Sequence, residues 1–192
     1  QIRLWGQPGD TIAENYPKYD GFVILHGSDT MAYTSSALSF ILENLNKPVI
    51  LTGSQLPSGV PRTDATENLI TAIEIATSQR DGKPEVPEVA VYFEYQLYRG
   101  NRTHKVNAEN FEAFESVNYP SLAKAGVHIK FNRRYIQNVN DEKLIVHKEF
   151  NPNIGVLKLF PGITESTVNS ILTAPKTEAI ILETFGSGNA PT

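Results

Sequence analysis

GFVILHGSDTMAYTSSALSFIL, residues 21–42, decides how this chain is read. Phe22-Val23-Ile24-Leu25 is apolar without alternation, the pattern of a short strand buried on both faces. The run breaks into Gly27-Ser28-Asp29-Thr30. Apolar residues then return at helical spacing, at Ala37, Leu38, Ile41, Leu42 and Leu45. The spacing predicts a helix over residues 31–45, capped by Thr30 and ended by Asn46-Lys47-Pro48. Two hydroxyls and a carboxylate therefore sit where a hydrophobic strand leaves the core.

Working outward, Val49-Ile50-Leu51-Thr52 reads as a second buried strand. Residues 53–63 hold Gly53, Pro57, Gly59 and Pro61 and form a loop. Leu69, Ile70, Ile73 and Ile75 mark a helix, with Asp64 as its cap, and Val89-Ala90-Val91-Tyr92-Phe93 is a third strand. Strands alternating with helices over short connections predict an α/β domain, a mainly parallel sheet flanked by helices. Ligands in such folds bind beyond the carboxyl ends of the strands, where residues 27–30 and 53–55 lie. Residues 127–136 and 144–150 are expected to form a hairpin around 138–141. After the polar joint 151–153, residues 154–160, 164–172 and 178–184 read as strand, helix and strand, the start of a second, smaller α/β domain. The expected domains are 1–150 and 151–192.

Composition excludes several classes. The chain has 192 residues, 40% hydrophobic and 20% charged, with a net charge of -4. An acidic balance gives no electrostatic reason for a nucleic-acid or anionic-membrane partner. There is no cysteine, hence no disulfide, thiolate metal site or cysteine nucleophile. No apolar run approaches the roughly 20 residues of a membrane-spanning helix. The chain opens on Gln1-Ile2-Arg3 and stops at Thr192 directly after an apolar run, so a fragment is expected.

Four stretches are candidates for chemistry. Residues 27–30 are either a helix-cap cluster or a ligand site facing first-turn N–H groups. Residues 99–105, RGNRTHK, are either a solvated basic loop or the carrier of Lys105, a lysine that could move protons beside a carboxylate and a hydroxyl. Residues 53–57 read as a turn. Residues 186–189, GSGN, are half of a dinucleotide fingerprint lacking its third glycine. There is no G-x-S-x-G elbow, no P-loop and no H-E-x-x-H, and the four histidines are scattered. His26 reads as a structural histidine more readily than as a base.

Taken together, FVILHGSDTM (22–31), PVILTGSQ (48–55), LYRGNRTHK (97–105) and GSGNAP (186–191) resemble the bacterial-type L-asparaginases, most closely the cytoplasmic type I branch. The likeness runs from about Thr11 to Thr192 and leaves the first ten residues out. It implies hydrolysis of L-asparagine to L-aspartate and ammonia, without metal or organic cofactor, in a cytoplasmic homo-oligomer with no nucleic-acid or membrane partner. The family's second active-site threonine falls on Ser28, its aspartate on Asp29 and its lysine on Lys105. Ser28 and Asp29 would also bind substrate, Asp29 through the amino group, with the Ser28 N–H as an oxyanion donor. Ser28 keeps the hydroxyl of the usual threonine but lacks the methyl that restricts its rotamer. The T-G-G-T motif that carries the family's nucleophilic threonine is not among these residues, nor is the Asp-Ser-Ser loop that grips the substrate carboxylate. Expected alone, the 192-residue chain is inactive or nearly so. The competing readings are the asparaginase-like subunit of a transfer-RNA-dependent amidotransferase and a non-catalytic amino-acid-binding α/β module.

Overall fold

The computed structural model describes residues 2–191, with side chains from Gly6 onward. The chain divides into two compact units, Arg3–Lys148 and the residues from Glu149. The first unit begins α1 (Ile2–Asn15), β1 (Phe22–Leu25), α2 (Ser28–Ile41), β2 (Leu42–Glu43), β3 (Val49–Thr52) and α3 (Ala65–Thr77). A small hairpin of β4 (Gln79–Arg80) and β5 (Lys83–Pro84) leads to β6 (Val89–Phe93) and β7 (Gln96–Arg99). A short 3-10 turn, Gly100–Arg102, precedes β8 (His104–Lys105), β9 (Phe114–Glu115), β10 (Ala123–Lys124), β11 (Lys130–Phe131) and β12 (Ile145–Val146). The second unit holds β13 (Ile154–Lys158), α4 (Glu165–Leu172) and β14 (Ala179–Glu183).

The main sheet has six strands in the order β1-β3-β6-β7-β10-β11. Its core is the parallel trio β1, β3 and β6, and antiparallel β7, β10 and β11 extend it. The three strands read from sequence thus build an α/β sheet flanked by helices. Ile50, Ala90 and Tyr92 pack with Ala72 and Ile75 of α3. Alternate residues point to the opposite face, where α2 packs on β3 and β6. β3 and β6 are buried along their whole length. β1 is only half-buried, and Leu25 is exposed. This corrects the expectation of burial on both faces: an apolar run does not reveal that its strand lies at a sheet edge.

Three further expectations are corrected. The helix after β1 starts at Ser28, not Met31, and ends at Ile41, because Leu42 and Glu43 leave it to pair with Val146 and Ile145. Thr30 is consequently inside the helix, and the N-cap is Gly27. Residues 127–136 and 144–150 do not form a hairpin. β11 pairs with β10, and β12 pairs with β2 about 100 residues upstream. Asp64 does stand at the α3 N-cap but makes no side-chain cap bond. Its carboxylate instead accepts the N–H groups of Gln55 and Leu56 and the amide of Asn68, and so shapes the 53–63 loop.

Between β6 and β7 the chain reverses through Glu94 and Tyr95, both at positive φ (46° and 64°), with Phe93 opposite Gln96. Two left-handed residues match the twist of a hairpin, at some cost without glycine. Asn68, fully buried, holds this turn. Its amide donates to the Gly53 carbonyl and its oxygen accepts the Glu94 N–H. In the second unit β13 and β14 pair in parallel around α4, which Thr164 caps through the Thr167 N–H. Ile154, Val156, Ile181 and Leu182 stand about half exposed there. The GSGN stretch closes a turn in which the Phe185 N–H donates to the Asn189 carbonyl.

One buried ion pair anchors the antiparallel side. Arg99 donates to Glu88 through Nε at 2.6 Å and Nη2 at 3.2 Å, and to the Tyr135 carbonyl. Glu88 also accepts the Gln137 N–H. Burial disfavours the arginine's charge, but the Glu88 hydrogen bond and charge outweigh it and raise its pKa. Glu88→Ala is expected to destabilise the first unit by about 3–5 kcal/mol in urea unfolding, since it strands a buried cation. Arg133→Ala, at the far more exposed Arg133–Glu85 pair, should cost no more than about 1 kcal/mol.

Candidate active site

The parallel register pairs Leu25 with Thr52 and leaves the carboxyl ends of β1 and β3 level. The crossing just beyond them is tight. A Cβ on Gly53 would lie 2.2 Å from the His26 carbonyl oxygen, so only glycine fits. His26 is satisfied on both ring nitrogens, Nδ1 by the Gly27 carbonyl at 2.7 Å and Nε2 by Thr34 Oγ1 at 2.9 Å. It fixes the strand-to-helix corner rather than offering a free base.

From that corner α2 presents Ser28 and Asp29 in its first turn. The capping reading of this cluster does not hold: Gly27 is the N-cap and brings no side chain. Both side chains turn to Lys105 instead, whose ammonium donates to Ser28 Oγ at 2.8 Å and to Asp29 Oδ1 at 2.6 Å. All three sequence-derived candidates are thereby brought together, across 77 and 76 residues of chain. Lys105 is not part of a solvated loop, for its side chain is only 14% exposed. β8 carries it, paired with β9 so that Lys105 lies opposite Phe114, and Phe114 packs edge-on against Phe93 of β6.

The pair is asymmetric. Asp29 is 91% exposed, so its attraction to Lys105 is screened and adds little to stability. Its hydrogen bond to Lys105, aided by the lysine's charge, still holds the carboxyl below the ordinary aspartate range. Asp29 is therefore ionised throughout the neutral range and available to a cationic ligand. Ser28 accepts from the lysine, which leaves its own O–H free to donate elsewhere. The opening of a 14-residue helix adds backbone N–H groups and the positive end of its dipole, both suited to developing negative charge. An open groove of about 270 Å³ borders this point and includes Asp29, Tyr33, His104, Lys105 and Val106.

Some supporting residues were illegible in the sequence. Arg99 read as one more charge in a basic loop, yet it locks that loop to Glu88. Thr34 and Ser35 are buried on the inner face of α2, where a count of apolar residues passes over them.

Comparison with known proteins puts these residues in context. A family model described as Asparaginase, N-terminal matches residues 1–137, and the chain belongs to this family. That match takes in the first ten residues, which the motif likeness had left out. The mouse 60 kDa lysophospholipase is 46% identical over 192 residues, all of this chain and 33% of its own length. L-asparaginase 1 of Escherichia coli K12 is 46% identical over 187 residues, 97% of this chain and 54% of its own. The crystal structure of L-asparaginase I from Vibrio cholerae superposes with a TM-score of 0.90 at 44% identity, covering 100% of this chain and 57% of that one. The chain thus spans between a third and somewhat over half the length of these relatives.

The depressed carboxyl gives a pH test. Because the folded value lies below the unfolded one, the Asp29–Lys105 contact is complete above the ordinary aspartate pKa of 3.8 and is lost as pH falls through the lower folded value. A carboxyl-carbon NMR titration of Asp29 should therefore give a midpoint below 3.8. Lys105→Met should return it to the ordinary value.

Proposed function

We propose that the protein is an L-asparaginase, hydrolysing L-asparagine to L-aspartate and ammonia, with Ser28, Asp29 and Lys105 as its proton-handling group. The observation that carries this reading is the meeting of Lys105 with Ser28 and Asp29 in a chain of the asparaginase family. Amide hydrolysis needs a hydroxyl oxygen to bond the carboxamide carbon, the C–N bond to break, and a proton to reach the departing nitrogen. The resemblance assigns the attack to the threonine of the T-G-G-T motif. Ser28 and Lys105 then relay the proton: the Lys105 ammonium gives a proton to the departing nitrogen and recovers one from Ser28, which takes the proton of the attacking hydroxyl. Water cleaves the acyl group to the carboxylate. Asp29, ionised and open to solvent, receives the substrate's α-ammonium group. The Ser28 N–H at the head of α2 is the proposed oxyanion donor.

The domain assignment belongs to the same reading: 1–150 as the N-terminal asparaginase domain and 151–192 as the beginning of the C-terminal one. So do the cytoplasmic location and the homo-oligomeric state, which rest on the type I resemblance. Exposed Tyr33 and Phe40, one helical face of α2, support self-association.

Turnover of L-asparagine by the intact protein, read as ammonia release, tests the assignment. Lys105→Met should keep the fold and lower kcat by roughly a hundredfold or more, the scale of a lost acid–base group. Arg102→Ala, on an exposed residue of the same segment, should leave kcat within about twofold. Near-normal turnover by Lys105→Met would remove the central residue of this mechanism.

A further inference from the structure

The segment that delivers Lys105 is tied to α2 at a second point. Gly100 lies so close to the helix that a Cβ would sit 2.9 Å from Ser39 Oγ, 3.0 Å from the Ser35 carbonyl oxygen and 3.0 Å from Val89 Cγ1. Space, rather than backbone conformation, demands glycine there. Ser35 is fully buried, and its hydroxyl reaches the Gly100 carbonyl at 2.9 Å, with the Ala32 carbonyl at 3.1 Å as the alternative acceptor. A helical serine ordinarily bonds back within its own helix; this one also spans 65 residues of chain. Thr103 Oγ1 donates to the Arg99 carbonyl at 2.7 Å and closes the turn around Gly100. Arg99 itself is pinned by Glu88 and lies 4.4 Å above the Tyr119 ring.

Ser35 stands two turns along the same helix from Ser28, about 10 Å away by helical rise. Lys105 lies a few residues beyond Gly100. The helix and the Lys105 segment therefore meet twice, once at Ser35–Gly100 and once at Ser28–Lys105. We propose that Ser35 and Gly100 form a clamp that sets the reach of the Lys105 ammonium to Ser28. Ser35 is thus a positioning residue. It touches no reacting atom and acts through Lys105, and its effect on turnover rests on the asparagine-hydrolysing reading above. A small displacement suffices, since misplacing a reacting group by about 1 Å can cost up to a hundredfold in rate.

The test uses the intact protein and two readouts. A brief pulse of acetic anhydride, followed by mass spectrometry, gives the acetylation of Lys105 relative to exposed Lys124. Steady-state turnover of L-asparagine gives kcat and KM separately. Ser35→Ala is expected to raise Lys105 acetylation severalfold with Lys124 unchanged. It should lower kcat roughly tenfold with KM within about twofold, as for a loss felt in the transition state. Thr103→Val, nearly isosteric and outside the buried helix face, should act in the same direction more weakly and serves if Ser35→Ala does not fold. Unchanged acetylation and unchanged kcat in the folded variant would overturn the clamp. Should Lys105→Met itself retain turnover, the catalytic reading fails while acetylation alone still decides whether the clamp exists.

Discussion

The parallel register of β1 on β3 is the constraint from which the site hangs. Leu25 opposite Thr52 makes two strand ends level, and the backbone beyond them crosses at a distance only a glycine tolerates. One strand leaves as the His26 corner and the head of α2; the other leaves into the loop organised by Asp64. Thr52, fully buried, ties the arrangement to its third member by donating to the Tyr92 carbonyl at 2.9 Å. Asn68 then joins the ends of β3 and β6. Without that level rim, Ser28 and Asp29 would not face a segment that follows β7.

Two charge pairs in the molecule do opposite work. Arg99–Glu88 is sequestered and multiply hydrogen-bonded, so losing either partner would strand a buried charge. Lys105–Asp29 is buried on one side only, with the lysine under cover and the carboxylate in solvent. Such a pair contributes little to folding. What it does is hold an ammonium beside a hydroxyl while keeping an anion at the surface. The buried pair lies upstream on the same segment, which is thereby anchored away from the contact of Lys105 with Ser28 and Asp29.

The legible part of this protein was its hydrophobic grammar. Runs such as VILT and VAVYF became the buried strands because nothing else in so short a span can bury that much apolar surface. Ser28, Asp29 and Lys105 were singled out through joint motifs, and the structure brings their side chains together. Pairing partners were not legible. β12 joins β2 across about 100 residues, a matter of tertiary context, and Leu42–Glu43 left the helical pattern for the same reason. The polar scaffold was equally hidden. Ser35, Asn68 and Glu88 are buried polar residues whose partners come from distant chain, and composition ranks all three as surface residues.

The two-residue reversal at Glu94 and Tyr95 has a consequence for how the molecule comes into being. Hairpins close within microseconds, so β6 and β7 can find each other while the rest of the chain is still searching. The lysine-bearing segment is attached to that early piece. The serine-bearing helix belongs to a crossover between parallel strands, whose contacts are far more distant in sequence and slower to form. The Lys105–Ser28 hydrogen bond closes a span of 77 residues, and it is made only when the two pieces dock. The contact therefore waits on the docking of distant pieces, and a chain in which they have not docked carries Ser28 and Lys105 apart.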